Sequence, residues 1–357
     1  MHLLELSCDR FRCLTGLRFT PCPGLNVIRG ENAQGKTSIL EALLYAATTK
    51  SHRTATESDL VQRGENNFRI AAHVQRAARD IQVDVSWASG AKRIKVNGIA
   101  QTRVSDVLGK INVVIFSPED GELVRGSASH RRTFVDVEIS QLNAPYLHAL
   151  QRYRQAMRQR NEILRNQKTD EALLDVYDVQ LIEHGTILID ERRAFIDQLA
   201  PLAADAYRAI AGQEEMRVAY KPDIRETAAF AESLAAARKT DLRQCITSRG
   251  PHRDDLDFVI DDKPARQFAS QGQQKTAGLS VKLAELELMR QRTGEYPILL
   301  LDDVFAELDT NRARHVLSTI SPEVQCLIST TEFTLTEELE KRNPRIFTIQ
   351  KGVLAAQ

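Results

Sequence analysis

The chain has 357 residues, of which 42% are hydrophobic, so it is long and apolar enough to bury cores in two or three domains. Its 48 basic and 48 acidic residues cancel, so the net charge indicates neither a nucleic acid nor a membrane as partner, and any basic surface has to be local. No apolar run is long enough for a membrane span, and the first residues become charged too early for a secretory signal, so we expect a cytoplasmic protein without a membrane partner.

The first third of the chain alternates short apolar segments with turns. Residues 3–6 and 25–28 are predicted strands, and residues 36–47 have the apolar spacing of an amphipathic helix. Residues 68–97 alternate as antiparallel hairpin strands with a turn at Asn97-Gly98, and Trp87 is interpreted as a packing residue there rather than a base-stacking one. A further apolar strand at residues 111–116 stops at Ser117-Pro118.

The middle of the chain has few glycines and many charges. Heptad-like apolar spacing over residues 129–211 predicts long helices folded as an antiparallel pair. A charged helix face is usually just solvated, but its arginines could also contact DNA phosphates, and we favour the first interpretation. These arginines are Arg152, Arg154, Arg158, Arg160 and Arg165. After residue 247, apolar strands at 297–301, 326–328 and 346–349 predict the rest of an α/β sheet that starts before residue 120.

One segment of the first third fits the Walker A pattern of phosphate-binding loops. It consists of Gly30, Glu31, Asn32, Ala33, Gln34, Gly35, Lys36 and Thr37. In such a loop the backbone amides surround the phosphates, the lysine reaches the β and γ oxygens, and the threonine hydroxyl ligates Mg²⁺. We therefore predict an ATP site at these residues and the adjoining Ser38, with Lys36 also catalytic and Thr37 a metal ligand.

A second element has to hold the metal, and the strand at residues 297–301 leads directly into two carboxylates. Asp302 is predicted to bind Mg²⁺, directly or through water. Asp303 stands where a general base or water-positioning carboxylate is needed, and the alternative is a helix N-cap at the end of a strand. Because Lys36 and Asp302 are so far apart in the sequence, an inserted domain has to lie between them.

A third element is the polar segment 270–275, which opens a predicted helix. Alone it is weak evidence, since many helices begin with serine. Its place before the Asp302 strand is that of the signature motif of ATP-binding-cassette (ABC) ATPases, which completes the γ-phosphate site of a second subunit. We therefore predict that Ser270, Gly272 and Gln273 contact nucleotide, with Ser270 also catalytic. The segment Ala306-Glu307-Leu308-Asp309 matches the D-loop of the same family, so one chain carries two half-sites that cannot face each other.

Together these motifs resemble the RecF family of bacterial recombination mediators, ATPases related to SMC heads, along essentially the whole chain. The landmarks are Phe11-Arg12, Gly24-Leu25-Asn26-Val27, Asn32, Leu40-Glu41-Ala42, Phe116-Ser117-Pro118-Glu119-Asp120, Arg131-Arg132-Thr133-Phe134, Arg249-Gly250-Pro251-His252-Arg253-Asp254-Asp255 and Ser270 to Lys275. They are far more specific than the Walker A pattern alone.

The resemblance implies an α/β fold: an ABC/SMC-type P-loop ATPase head with a mixed sheet and an antiparallel β subdomain, plus an inserted helical arm. We place the head at residues 1–128 and 244–357 and the arm at 129–243. The resemblance also implies an ATP-dependent head-to-tail homodimer that binds DNA (double-stranded, single-stranded or junctions) and hydrolyses ATP slowly with stimulation by DNA. It implies work in replication and recombinational repair, with RecR and RecO as partners in loading RecA at single-strand gaps.

Two departures from the wider ABC pattern concern hydrolysis. The usual Q-loop glutamine is missing, and Glu119 either substitutes for it as a metal or water ligand or is a plain loop residue. Ser329-Thr330-Thr331 stands where many ABC ATPases have a switch histidine, and with an aspartate at 303 this predicts slow hydrolysis. His130 and His252 are each either a polar contact or a γ-phosphate sensor.

Arg53, in the segment Ser51-His52-Arg53-Thr54, is a stronger candidate for contacting a nucleotide or DNA phosphate. Two rival functions are the nucleotide-binding subunit of a transporter and an SMC-like clamp without useful turnover. The missing Q-loop glutamine and the helical arm argue against the transporter, and the sequence leaves the clamp open.

Overall fold

A computed structural model describes residues 1–166, 171–306, 310–331 and 341–356 of the protein. The strands are β1 (His2–Asp9), β2 (Leu17–Phe19), β3 (Leu25–Arg29), β4 (Asn67–Gln75), β5 (Asp80–Ala88), β6 (Ala91–Val96), β7 (Ile99–Gln101), β8 (Val113–Phe116), β9 (Met216–Lys221), β10 (Asp255–Ile260), β11 (Lys263–Pro264), β12 (Ile298–Asp302), β13 (Cys326–Thr330), β14 (Arg345–Gln350) and β15 (Val353–Ala356). The helices are α1 (Lys36–Thr48), α2 (Glu122–Arg125), α3 (Ala128–Leu142), α4 (Ala144–Arg165), α5 (Glu171–Ala211), α6 (Phe230–Gln244), α7 (Ala265–Phe268), α8 (Gln271–Thr293) and α9 (Thr310–Thr319). None of the helices in these ranges is both long and apolar enough to cross a membrane.

A mixed sheet forms the centre of the head, with the strand order β15-β14-β3-β13-β12-β8 among the described strands. All neighbours are parallel except β14 and β15. The strands β3, β12 and β13 are apolar because both of their faces are covered. Ile298 and Leu300 pack in the same core as α1, whereas Leu299 and Leu301 pack with residues of α8 and α9. The alternation puts α1 on one face of the sheet and α8 and α9 on the other.

A second sheet is antiparallel, with the order β2-β1-β4-β5-β6-β7, and it contains the predicted hairpins. Asn97 and Gly98 both have positive φ, 49° and 79°, and join β6 to β7 as a two-residue turn. The Trp87 ring stacks on that of Phe68 with 6.3 Å between centroids. Its interpretation as a packing residue is therefore confirmed.

The helices α4 and α5 are antiparallel to each other, as predicted. Residues that come later in α4 face residues that come earlier in α5: the Tyr146 hydroxyl accepts a hydrogen bond from Arg192, whereas Arg160 donates one to Asp178. Arg160 is 0% exposed and also bonds Asp241 at 2.8 Å, so for this residue both the favoured interpretation, a solvated side chain, and the alternative, contact with DNA phosphates, are wrong. Burying this guanidinium requires both carboxylates, which local sequence spacing does not reveal.

The remaining arginines of that run lie on the surface of α4. Arg154 is half-exposed and forms a 2.8 Å ion pair with Asp136, whereas Arg152, Arg158 and Arg165 are exposed. Both interpretations of this helix face, solvated or in contact with DNA, therefore stay open for the three exposed arginines.

A small sheet, β11-β10-β9, lies beside the long helices. Its strand β9 lies after the predicted long helices (129–211) but within the predicted helical arm (129–243), and it pairs with β10, which comes from the predicted C-terminal part of the head. The segment of β9 alternates buried and exposed residues, which favours a strand over a helix. The predicted division at residues 128 and 243 stays a prediction.

The landmark segment that ends in Asp254-Asp255 ties these elements together. The buried Arg192 of α5 forms 2.7 Å ion pairs with Asp136 of α3 and with Asp254. Arg131 of α3 bonds Asp255 at the start of β10 at 2.5 Å. Buried guanidinium–carboxylate pairs fix the relative orientation of the elements that they join, because each buried charge needs its partner. This segment therefore holds α3, α5 and β10 together.

A buried charge cluster connects α3 with α8. The Lys282 ammonium lies 3.3 Å from Glu138 and 3.2 Å from Glu285, and all three residues are buried. Burial and the neighbouring Glu138 raise the pKa of Glu285 well above its usual value, whereas the Lys282 charge acts in the opposite direction. The contact between α3 and α8 is thus polar, and it forms only when these three side chains lie opposite one another.

Candidate nucleotide-binding site

The loop from β3 to α1 has the backbone shape of a phosphate cradle. Ala33 and Gly35 have positive φ, 64° and 112°. Gly35 is also the N-cap of α1 and has no side-chain cap, so the first amide groups of the helix are left for a ligand. A Cβ at Gly30 would lie 2.6 Å from the Ile349 carbonyl oxygen, and one at Gly35 would lie 2.9 Å from the Cys13 sulfur. The glycines of the motif are therefore required by close packing.

Lys36 bends back over the same loop. Its ammonium donates hydrogen bonds to the carbonyl oxygens of Gly30 at 2.8 Å and Glu31 at 3.0 Å, and the residue is 4% exposed. Glu31, Asn32 and Ala33 are exposed on the outer side of the loop. A cation is thus held against the loop by two backbone carbonyls, which suits the loop to bind an anion.

The predicted metal ligands lie side by side. The Thr37 hydroxyl donates to an Asp302 carboxylate oxygen at 2.9 Å, although 265 positions separate the two residues in the chain. Asp302 is 5% exposed at the end of β12, and its oxygen also accepts a 2.5 Å hydrogen bond from the Ser329 hydroxyl. A hydroxyl and a carboxylate are the hard oxygen ligands that Mg²⁺ prefers, so the pair fits this ion.

Asp303 has a strained backbone at the same sheet edge. Its φ is +49°, a conformation that non-glycine residues seldom adopt and that concentrates at functional sites. Its backbone amide donates to the Ser329 hydroxyl at 3.0 Å. Ser329 therefore links both aspartates. In the sequence, the position of Ser329 near the end of a predicted strand is the only signal for this role.

Arg53 is part of an ion-pair cluster around Glu41 of α1. Glu41 accepts two hydrogen bonds from Arg12, at 2.7 and 2.9 Å, and one from Ser51 at 2.5 Å, while Arg53 lies 3.7 Å away. Burial by itself raises the pKa of Glu41, but these hydrogen bonds and charges hold it below its usual value. Arg53 is 43% exposed, and its predicted contact with a phosphate stays a prediction.

The predicted signature residues form the start of α8. The Ser270 hydroxyl accepts from the Gln273 amide at 3.2 Å, and the Gln273 side chain accepts from the Ser270 amide at 2.9 Å, which is a capping box. Gly272 faces Arg312 of α9, since a Cβ there would lie 2.7 Å from the guanidinium. Each of these two side chains thus accepts from the other residue's backbone amide, and the predicted contact of Ser270, Gly272 and Gln273 with nucleotide stays a prediction.

Several smaller predictions have different outcomes. The Glu119 side chain and residues 307–309 of the predicted D-loop lie outside the described part of the chain. Thr330, at the end of β13, is buried, and its carbonyl accepts from the Gly30 amide at 3.3 Å. The His252 ring bonds the Tyr153 hydroxyl and the Thr247 carbonyl, which supports its interpretation as a polar contact.

The comparisons with known proteins agree with this geometry. Residues 2–355 match the family described as RecF/RecN/SMC N terminal domain. The DNA replication and repair protein RecF of Lactobacillus delbrueckii subsp. bulgaricus is 41% identical, over 99% of this chain and 96% of its own length. The chain belongs to the RecF family. The RecF protein of Limosilactobacillus fermentum is 38% identical over the full length of both chains.

Solved structures of RecF proteins have the same fold. The chain is similar to the recombination mediator protein RecF-ATPrS of the RecFOR pathway, with a TM-score of 0.90 and 32% identity over 99% of this chain and 98% of that one. It matches RecF-ATP of that pathway with a TM-score of 0.91 and 31% identity, over 100% of this chain and 97% of that one. An Smc head bound to a domain of ScpA has a TM-score of 0.60 at 14% identity, over 100% of this chain and 97% of that one. The predicted fold, an ABC/SMC-type head within the RecF family, is thereby confirmed.

Proposed function

We propose that this chain is an ATPase of recombinational DNA repair that binds Mg·ATP at the loop from Gly30 to Thr37. The observation that carries the proposal is the hydrogen bond between Thr37 and Asp302, which joins a phosphate loop to the end of a buried strand. Similarity to RecF-ATP, at 31% identity along the whole chain, supports the choice of nucleotide.

The chain's own groups account for binding. The uncapped amides of α1 and the Lys36 ammonium attract the phosphates. Thr37 and Asp302 hold Mg²⁺, which neutralises charge on the phosphate oxygens when it is bound. Ser38 follows Thr37 in the first turn of α1, and Arg53 adds a positive charge beside that helix.

Hydrolysis requires an aligned water molecule. Asp303 is the carboxylate next to the metal ligand Asp302, and its backbone is held by Ser329. We assign it the positioning of that water. Asp303 is one methylene shorter than a glutamate, and the chain has no switch histidine after β13. Hydrolysis is therefore slow, which suits a molecular switch.

The site is completed by a second copy of the chain. The N-terminus of α8 presents Ser270, Gly272 and Gln273, and a helix N-terminus attracts a γ-phosphate. ATP then holds two heads together, head to tail. On this proposal the dimer binds DNA in the cytoplasm, with RecR as a direct partner and RecO and RecA in the same pathway.

Lys36→Met tests the phosphate site. It should abolish binding of a fluorescent ATP analogue without unfolding the chain, because the central cation of the loop is lost. Lys263→Met removes an exposed lysine of β11 and is the matched control. Wild-type affinity in the Lys36 variant would refute the assignment.

Ser270→Arg tests the shared site. This variant should bind ATP but stay monomeric in light scattering, since a large side chain replaces the hydroxyl at the N-terminus of α8. Ser129→Arg, at an exposed position of α3, controls for the added charge. An ATP-dependent dimer of the Ser270 variant would contradict assembly through this motif.

Asp303→Asn tests catalysis. It should keep ATP binding and accumulate the dimer, because the uncharged amide does not align the attacking water as the carboxylate does. Unchanged turnover would remove Asp303 from the chemistry. Comparing wild-type ATPase rates with and without gapped DNA separates a DNA-stimulated ATPase from a clamp without useful turnover.

A further inference from the structure

The turn between β14 and β15 contacts the back of the phosphate loop. The Lys351 amide donates a 2.6 Å hydrogen bond to the Gln34 side-chain oxygen, and the Gly352 amide donates a 3.0 Å hydrogen bond to the Gln34 backbone carbonyl. Lys351 and Gly352 have φ values of 48° and 77°, so both have the left-handed backbone of a two-residue hairpin turn. One residue of the loop is thus bonded twice, through its backbone and through its side chain.

Close packing leaves this contact little freedom. Gly352 is buried, and a Cβ there would lie 2.1 Å from the Cys13 carbonyl oxygen. On the same side, Ile349 of β14 meets Gly30 and Gly35, where added Cβ atoms would lie 2.6 and 3.1 Å from its atoms. The hairpin and the loop therefore share one tightly packed layer.

The direction of one peptide group gives this contact a chemical consequence. In a trans peptide the carbonyl and the following amide point in opposite directions. Because the Gln34 carbonyl is bonded to the Gly352 amide, the Gly35 amide points away from the hairpin. A rotated peptide would instead turn a carbonyl oxygen, which repels phosphate, to that side.

We propose that the Lys351–Gly352 turn belongs to the nucleotide site, and that Gln34 is a positioning residue that orients the Gln34–Gly35 peptide for phosphate binding. The inference rests on the proposed ATP binding and adds to it an element from the other end of the chain. Its prediction is that Gln34 controls nucleotide affinity more than it controls stability.

Gln34→Leu removes the side-chain acceptor and keeps a similar size. We expect the Kd of a fluorescent ATP analogue to rise about tenfold, the value of one typical hydrogen bond, while the thermal midpoint without nucleotide changes little. The KM for ATP should rise with kcat retained, since the turn does not contact Asp303 in the described structure. A purely structural role would lower the thermal midpoint and leave affinity and KM unchanged.

Three further variants separate the backbone contact from other effects. Lys351→Gly keeps the amide donor and the left-handed backbone, so it should lose less affinity than Gln34→Leu does. Gly352→Ala should weaken binding more than Gln34→Leu does, because its Cβ clashes with Cys13. Gly98→Ala places the same strain in the β6–β7 turn, where a Cβ meets open space, and should lower stability without changing affinity.

The outcomes distinguish this inference from the proposed function. Wild-type chain that binds no ATP would overturn both. Wild-type binding with an unchanged Kd in Gln34→Leu and Gly352→Ala would overturn the positioning role alone. A loss of affinity in Lys351→Gly equal to that in Gln34→Leu would also overturn it, because the ammonium group rather than the backbone would then be responsible.

Discussion

Replacing His252 with glutamine should make the free energy of unfolding less dependent on pH, because it removes a group that titrates differently in the folded and unfolded chains. The Nε2 atom of the ring lies 2.9 Å from the Thr247 carbonyl, so it carries the hydrogen, and Nδ1 accepts from the Tyr153 hydroxyl at 2.7 Å. Burial, helped by the charges of Arg253 and Arg132, lowers the pKa of His252 to about 4, although the Thr247 hydrogen bond and Asp223 act in the opposite direction. The folded protein therefore holds this ring neutral.

The sign and size of the effect follow from the two pKa values. An unfolded histidine has a pKa of 6.5. Its contribution to stability is complete above pH 6.5 and is lost as the pH falls towards 4, because only the unfolded chain gains the proton. Proton linkage then lowers the free energy of unfolding by about 2 kcal/mol between pH 7.5 and pH 5.

Urea unfolding followed by circular dichroism at pH 7.5 and pH 5 measures this difference. Glutamine can donate to Thr247 and accept from Tyr153, so His252→Gln keeps the contacts and removes the titration. Tyr153→Phe is the matched control, because it removes one hydrogen bond, worth about 1 kcal/mol, and leaves the histidine in place. The buried carboxyl of Asp254, whose raised pKa acts in the opposite direction, is common to all three proteins.

The expected result is a wild-type protein that loses about 2 kcal/mol more than His252→Gln on acidification. Tyr153→Phe should be less stable than wild type at pH 7.5 and should retain a histidine-linked loss. An equal acid-induced loss in wild type and His252→Gln would refute the reasoning, because it would mean that His252 titrates alike in the folded and unfolded chains.

Three further predictions concern buried groups and can be measured by urea unfolding. Arg160→Met should destabilise the chain by about 3–5 kcal/mol, because it leaves the buried Asp241 without a cation and Asp178 with Arg238 alone, and a loss below 1 kcal/mol would contradict this. Lys282→Met should destabilise by a similar amount at pH 7, because Glu138 and Glu285 lose the cation buried between them; a loss below 1 kcal/mol would count against this cluster. Gly185→Ala places a Cβ 2.6 Å from Phe230 and should cost about 1–3 kcal/mol, despite the better helix propensity of alanine, so a stabilised variant would disprove the close packing.

Local sequence patterns predicted the parts of the head that local physics determines. The apolar strand before Asp302 and the helix after the glycine loop have the periodicities of their elements, and both occur as predicted. Walker A chemistry likewise placed Thr37 and Asp302 in one site, and the structure brings them together. Each of these inferences needed only residues that are close in sequence or chemically matched.

The remaining features depend on contacts between distant parts of the chain. Arg160 looked like one of several exposed arginines, and only the folded arm shows its burial between Asp178 and Asp241. Nothing near Gln34 indicates that Lys351 bonds it, since hairpin residues and loop residues have no common local pattern. Strand β9 was missed because six alternating residues in a charged region are too short a signal.

The position of β3 has a consequence for how the protein folds during synthesis. This strand pairs with β13 and β14, and the nearby Leu3 amide bonds Gln325, 322 positions later. Contacts of such long range form slowly because the intervening chain has to be closed into a loop first. The long helices can form while the ribosome is still translating, but the strand that leads into the phosphate loop stays unpaired until the last strands emerge. ATP is therefore a ligand of the finished head and cannot guide its early folding steps.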